Sequence, residues 1–148
     1  APESIANACN KIQGQITSAT CAIAQKATEK ALNEDPVITT KDMKAAFKDR
    51  RNMVLDELKM IPGIICNEPE GAFYIFPDIS FYFGKKNKKT TIKNSDDLCM
   101  YLLNTAHVAL VSGTSFGNPE CIRISYAATK KKLKIACDRI KNALKKLK

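Results

Sequence analysis

At 148 residues, 45% hydrophobic and 26% charged, the chain has the size and balance of one globular domain, or of a small domain with a piece of another. No apolar run approaches the ~20 residues that cross a bilayer as a helix, and no charged segment leading into an apolar stretch predicts a secretory signal. The formal net charge of +9 invites a nucleic-acid reading, but the excess sits in lysine clusters almost free of aromatics and arginines, so no nucleic-acid partner is expected.

The sequence opens on Ala1-Pro2-Glu3 with no initiator Met, as expected of a chain cut from something longer or processed. Residues 2–12 predict a short helix with Pro2 in its first turn. Residues 13–18 predict a break punctuated by Gly14, after which Thr17 or Ser18 caps an Ala-rich helix running to about Leu32. Asn33-Glu34-Asp35-Pro36 closes it. A second helix begins near Thr39, whose spacing to Asp42 resembles a capping box. Met43, Phe47, Val54 and Leu58 form its apolar stripe, and Ile61-Pro62-Gly63 stops it. This helix is long enough to leave one domain and enter the next.

Beyond Gly63 the pattern changes. A short strand is predicted over 64–66, a turn over 68–71, and a buried strand over 72–76 that ends at Pro77-Asp78. Residues 84–95 read as a mobile, Lys-rich loop. Ser95-Asp96-Asp97 starts a helix, with acidic residues where the macrodipole favours them, and it runs to about His107. A strand over 108–111, a loop over 112–117 and a strand over 122–126 follow. From Thr129 a last helix carries Leu133, Ala136, Ile140, Ala143 and Leu147 on one stripe and most of its lysines opposite, so it covers a sheet. The six cysteines include no C-x-x-C pair and have only His107 as a nitrogen neighbour, which predicts no metal centre. They read as free thiols in a reducing cytoplasm.

The strand over 122–126 is the most informative stretch. Alternation sets Ile122, Ile124 and Tyr126 on one face and Arg123 and Ser125 on the other. A guanidinium is a rigid fork that matches a carboxylate bidentately. Arg123 is therefore either an anion receptor, for a substrate carboxylate, or half of a structural salt bridge. The residues alone leave the two level. A rival for the whole chain is a non-catalytic α+β domain that binds an anionic partner through its lysine-rich surface.

Three segments in this order resemble the C-terminal part of fold-type I pyridoxal-phosphate aminotransferases of class I/II, most of all the prokaryotic-type aspartate aminotransferases. They are Pro69-Glu70-Gly71-Ala72-Phe73-Tyr74-Ile75-Phe76-Pro77-Asp78, then residues 108–117 (VALVSGTSFG), then Ile122-Arg123-Ile124-Ser125-Tyr126-Ala127. The stretch Gln13-Gly14-Gln15-Ile16-Thr17-Ser18 resembles the part of that family which reaches toward the neighbouring subunit's active site. The resemblance implies an α/β protein: residues 1–46 as the tail of a large domain and interdomain helix, and residues 47–148 as an α+β small domain with a short sheet covered by helices. It implies that Arg123 binds the substrate α-carboxylate, that Gly71 and Phe73 belong to the element closing over substrate, and that Thr17 and Ser18 lie at a homodimer interface. It implies amino-acid and 2-oxo-acid substrates, aspartate with 2-oxoglutarate foremost, and pyridoxal 5'-phosphate in the complete enzyme. The family's Schiff-base lysine follows a serine, and no Ser-Lys dipeptide occurs here. No catalytic residue is therefore expected in this chain, and alone it should be inactive. Ala19 stands where the family often has Asn, and Ser112 where Pro is frequent.

Overall fold

The computed structural model describes residues 1–34, 36–88 and 90–148, with the side chains of 36–39 excepted. The expectations for Asp35, for Thr39 as a cap and for Lys89 lie outside the described residues. The chain divides into two units, Ala1–Asp42 and Met43–Lys148.

In the first unit, α1 (Glu3–Ile16) and α2 (Ala22–Asn33) are both exposed along their lengths, with no buried residue in either. The break predicted at Gly14 does not occur. A single glycine costs a helix only about 1 kcal/mol, and the glutamines on either side are good helix formers. The chain turns instead after Ile16, where the Thr17 N–H bonds the Gln13 carbonyl at 3.0 Å and Ser18 is left-handed at φ 59°. Thr17 and Ser18 thus end α1 rather than cap α2, whose N-cap position is Cys21 with no side-chain bond.

The second unit holds most of α3 (Pro36–Lys59), which begins at Pro36 rather than near Thr39, with proline at the first helical position. Val54 and Leu58 are fully buried, whereas Met43 is exposed. The predicted stripe thus enters the core only in its second half. Two further helices follow, α4 (Ser95–Ala106) and α5 (Lys130–Leu144). The Asn94 side chain accepts from the Asp97 N–H, and the Thr129 hydroxyl from that of Lys132, so each start is locally capped. His107 ends α4 in the left-handed conformation at φ 54°. Leu98 and Leu102 of α4, Leu133, Cys137 and Ile140 of α5, and Ile75, Ile122 and Ile124 of the sheet share one core with Val54 and Leu58.

The sheet is small. β1 (Tyr74–Ile75), β4 (Val111–Ser112) and β5 (Ile122–Ser125) pair antiparallel in the order β1-β5-β4. The strand predicted over 64–66 reduces to one bridge, with Ile65 and Asp78 exchanging bonds of 3.1 and 2.9 Å. The strand predicted over 108–111 shifts to Val111–Ser112. Val108 is still engaged at the end of α4, donating to the Leu102 carbonyl at 3.4 Å. The loop predicted over 112–117 coils into a 3-10 turn, Gly113–Phe116. Residues 84–95 were expected as a mobile loop. They hold β2 (Lys86–Asn87) and β3 (Thr90–Thr91), with Ile92 fully buried and Lys86 exchanging backbone bonds of 2.8 and 2.9 Å with Lys148.

All six thiols are free. Burial pushes those of Cys99 and Cys137 from an ordinary 9.0 up to about 11, aided by Asp96 beside the first and by Glu57 and Asp138 beside the second. The unfolded chain therefore ionises first. The contribution to stability is full below pH 9.0 and is lost as pH rises toward about 11. Urea midpoints should fall across that window, and Cys137→Ala should shallow the slope; equal slopes would disprove the assignment.

Candidate functional site

The candidate site is on the outer face of the sheet. Tyr74 pairs with Ser125, Ile75 with Ile124, and Val111 with Arg123. Side chains alternate along each strand, so Ile75, Ile122 and Ile124 enter the core while Tyr74 and Arg123 share the opposite face as diagonal neighbours. The Arg123 guanidinium carbon lies over the Tyr74 ring at 4.4 Å and over the Phe116 ring at 4.6 Å. Phe76, next along that face, braces Phe116 edge-on at 6.0 Å and 88°. Arg123 is partly buried, and among the described residues no carboxylate pairs with it. Rings take up none of a guanidinium's in-plane N–H donors. The cation sits over two rings, and among the described residues no carboxylate occupies its fork.

A row of rings links this cation to the segment over 68–73. Phe73 lies 4.5 Å from Tyr74, and Phe47 of α3 lies 6.1 Å from Phe73 and 6.2 Å from Tyr126. Tyr126 is buried, as its place on the core face predicts, and its hydroxyl donates to the Ala72 carbonyl at 2.9 Å. Arg51 holds the other end, with Nη1 on the Pro69 carbonyl at 2.8 Å and Nη2 on the Glu68 carboxylate at 2.7 Å. Between these ties Ala72 is left-handed at φ 58°, which costs a residue with a Cβ about 1–2 kcal/mol. Ala72→Gly should therefore unfold at least as hard as the parent despite its more flexible chain. A loss of more than about 1 kcal/mol in urea unfolding would show that the Cβ packs rather than strains. At Gly71 a Cβ would meet nothing within 4 Å and no positive φ is required, so local geometry does not demand glycine there.

Phe47, Phe73, Tyr126 and Arg51 also line a cleft of about 610 Å³. Arg123 is not on its wall. Arg51 is already engaged by Glu68 and Pro69, whereas Arg123 has no carboxylate partner among the described residues, which makes Arg123 the candidate. The wall's Lys44 and Lys48 are exposed. Other lysines are spoken for: Lys130 pairs with Asp49, Lys134 with Glu57, and Lys85 lies 3.8 Å from the Phe81 ring.

Of the residues singled out from sequence, Arg123, Gly71 and Phe73 fall in the second unit, with Tyr74 connecting Arg123 to Phe73. Thr17 and Ser18 fall in the first. Sequence reasoning missed Tyr74 and Phe116 as partners of Arg123, and Arg51 as the tie on the 68–70 segment. Tyr74 was findable, since it shares the strand face opposite Ile75. Phe116 was not, because nothing local says where a loop ring lands. Among the described residues no cluster of ligating side chains could hold a metal ion, and no helix is long and apolar enough to cross a membrane.

The family pattern of the class I and II aminotransferases matches residues 1–140. A bifunctional aspartate aminotransferase and glutamate/aspartate-prephenate aminotransferase from Petunia hybrida is 44% identical over 97% of this chain and 30% of its own length. An aspartate aminotransferase from Rhizobium meliloti (strain 1021) is 40% identical over 99% of the chain and 36% of its own length. The crystal structure of the aspartate aminotransferase from Rhizobium meliloti superposes with a TM-score of 0.87 at 38% identity, over 100% of this chain and 37% of that one. The chain thus spans about a third of the length of the relatives it matches.

Proposed function

Since the chain belongs to the class I and II aminotransferase family, we propose that it serves an enzyme moving an amino group between aspartate and 2-oxoglutarate, with Arg123 as receptor for the α-carboxylate common to donor and acceptor. The observation that carries this reading is the open fork of Arg123 above Tyr74 and Phe116, with no carboxylate paired to it among the described residues. A cation so held fixes the substrate's carboxylate in two contacts and so limits rotation at the adjacent carbon, a contribution of positioning. We read residues 1–46 as the tail of a large domain and residues 47–148 as the small domain. Gly71 and Phe73 close over substrate, Thr17 and Ser18 face a second subunit in a homodimer, and the enzyme works in the cytoplasm.

Class I and II aminotransferases use pyridoxal phosphate, and the residues of this chain do not fit a cradle for it. An imine-forming amine must be available uncharged. Lys134 is held in its charged form, first by its hydrogen bond to Glu57 and then by Asp138. Lys44 and Lys48, beside that cleft, are exposed surface groups. No Ser-Lys dipeptide is present.

The test is an assay of oxaloacetate formed from aspartate and 2-oxoglutarate, run on the full-length enzyme carrying these residues and on the 148-residue chain alone. Turnover is expected from the first only, and the isolated chain should show no cofactor absorbance after dialysis. Activity on prephenate but not 2-oxoglutarate would move the acceptor. No turnover with any amino acid would overturn the reading.

A further inference from the structure

The loop that carries Phe116 is tied down more firmly than a surface loop requires. Ser95, the first residue of α4, is fully buried, and its hydroxyl lies 2.8 Å from that of Ser112 and 3.4 Å from that of Thr114. The Ser112 hydroxyl donates to Thr114 Oγ1 at 3.1 Å and accepts from the Thr114 N–H at 3.2 Å, and the Thr114 hydroxyl reaches Asp96 at 3.2 Å. Gly113 is locked on its other side by backbone bonds with Cys121 (2.8 Å) and Asn118 (3.1 Å). This frame delivers one large side chain to the outside. Phe116 is 48% exposed, yet its ring meets Arg123 on one side and Phe76 on another. A half-exposed aromatic set so firmly contributes little to a core; its neighbours say that it acts on the cation.

We infer that Phe116 is a positioning residue for Arg123. With Tyr74 it packs on the guanidinium and so limits the rotamers from which the fork must be recruited. A free arginine side chain samples many rotamers, and a cation held against rings surrenders part of that freedom before the anion arrives. The hydroxyls of buried Ser95 and Ser112, with that of exposed Thr114, set the ring's place by fixing its loop to α4. The inference rests on the reading of Arg123 as carboxylate receptor. It assigns the carboxylate grip to an aromatic frame as well as to the arginine.

The experiment compares Phe116→Leu, Phe116→Tyr and Arg123→Ala in the full-length enzyme. Leucine fills similar space without a π face; tyrosine keeps one. Phe116→Leu should raise KM for aspartate and for 2-oxoglutarate together by about tenfold, equivalent to about 1.4 kcal/mol, because both present an α-carboxylate to Arg123. Its kcat should stay within about threefold, and the calorimetric Kd of succinate, which needs no turnover, should weaken by a like factor. Phe116→Tyr should recover both constants. If Arg123→Ala is crippled while Phe116→Leu matches the parent, the inference fails and the Arg123 reading stands. If leucine and tyrosine variants lose thermal midpoint equally with KM unmoved, Phe116 is structural and the inference again fails. If Arg123→Ala itself keeps both KM values, the reading beneath the inference falls with it.

Discussion

Arg123→Ala in the full-length enzyme should cut kcat/KM for aspartate by roughly two to four decades, as measured by steady-state turnover. A charge-assisted hydrogen bond contributes about 1.5–3 kcal/mol, a bidentate pair about twice that, and each 1.36 kcal/mol is one decade. Stability should change far less. The side chain has no ion pair among the described residues, and its two ring contacts are worth about 1 kcal/mol each at a partly exposed site. Arg123→Lys should lie between parent and alanine, since an ammonium keeps the charge but not the fork or the stacking. Activity of the alanine variant within about tenfold of the parent would end the carboxylate role.

Gly113→Ala should cost about 3 kcal/mol in urea unfolding. A Cβ there would stand 2.1 Å from the Asn118 carbonyl oxygen and 2.4 Å from that of Cys121. Both are backbone atoms, and both belong to residues whose hydrogen bonds with Gly113 hold the loop shut. Neither can swing aside as a side chain would. Relief requires opening the turn, which also carries Phe116 away from Arg123, so the carboxylate grip should weaken in whatever fraction stays folded. Gly71→Ala is the matched control, with open space around it, and should fall within about 0.5 kcal/mol of the parent. Should the two variants unfold alike, the packing of the 113–121 turn is not what limits the site.

Local chemistry carried much of the fold. The starts of α4 and α5 were legible because Asp96 and Asp97 suit the positive end of α4 and Thr129 accepts the Lys132 N–H at the start of α5. The inward set of β5 was legible because alternation has one solution when Ile122, Ile124 and Tyr126 must all be buried. Errors gathered where the deciding partner is remote. Residues 64–66 and 108–111 are apolar enough to be strands, but a strand exists only where another backbone answers it, and those partners are offered at Ile65 alone and at Val111–Ser112. The Lys-rich segment over 84–95 read as loose because its tie is the distant Lys148 and, among its described residues, the buried hydrophobic is Ile92.

By itself, then, the sequence determined the family, the core-facing stripes and the one arginine aimed away from the core, all properties of neighbouring residues or of collinear motifs. Only the tertiary structure decided what surrounds that arginine. Tyr74 and Phe116 lie far apart along the chain and meet at Arg123 because β1 pairs with β5 while a buried hydroxyl cluster pins the Gly113–Phe116 turn. Ring-to-cation distances depend on strand register and loop anchoring together. No local pattern encodes that sum.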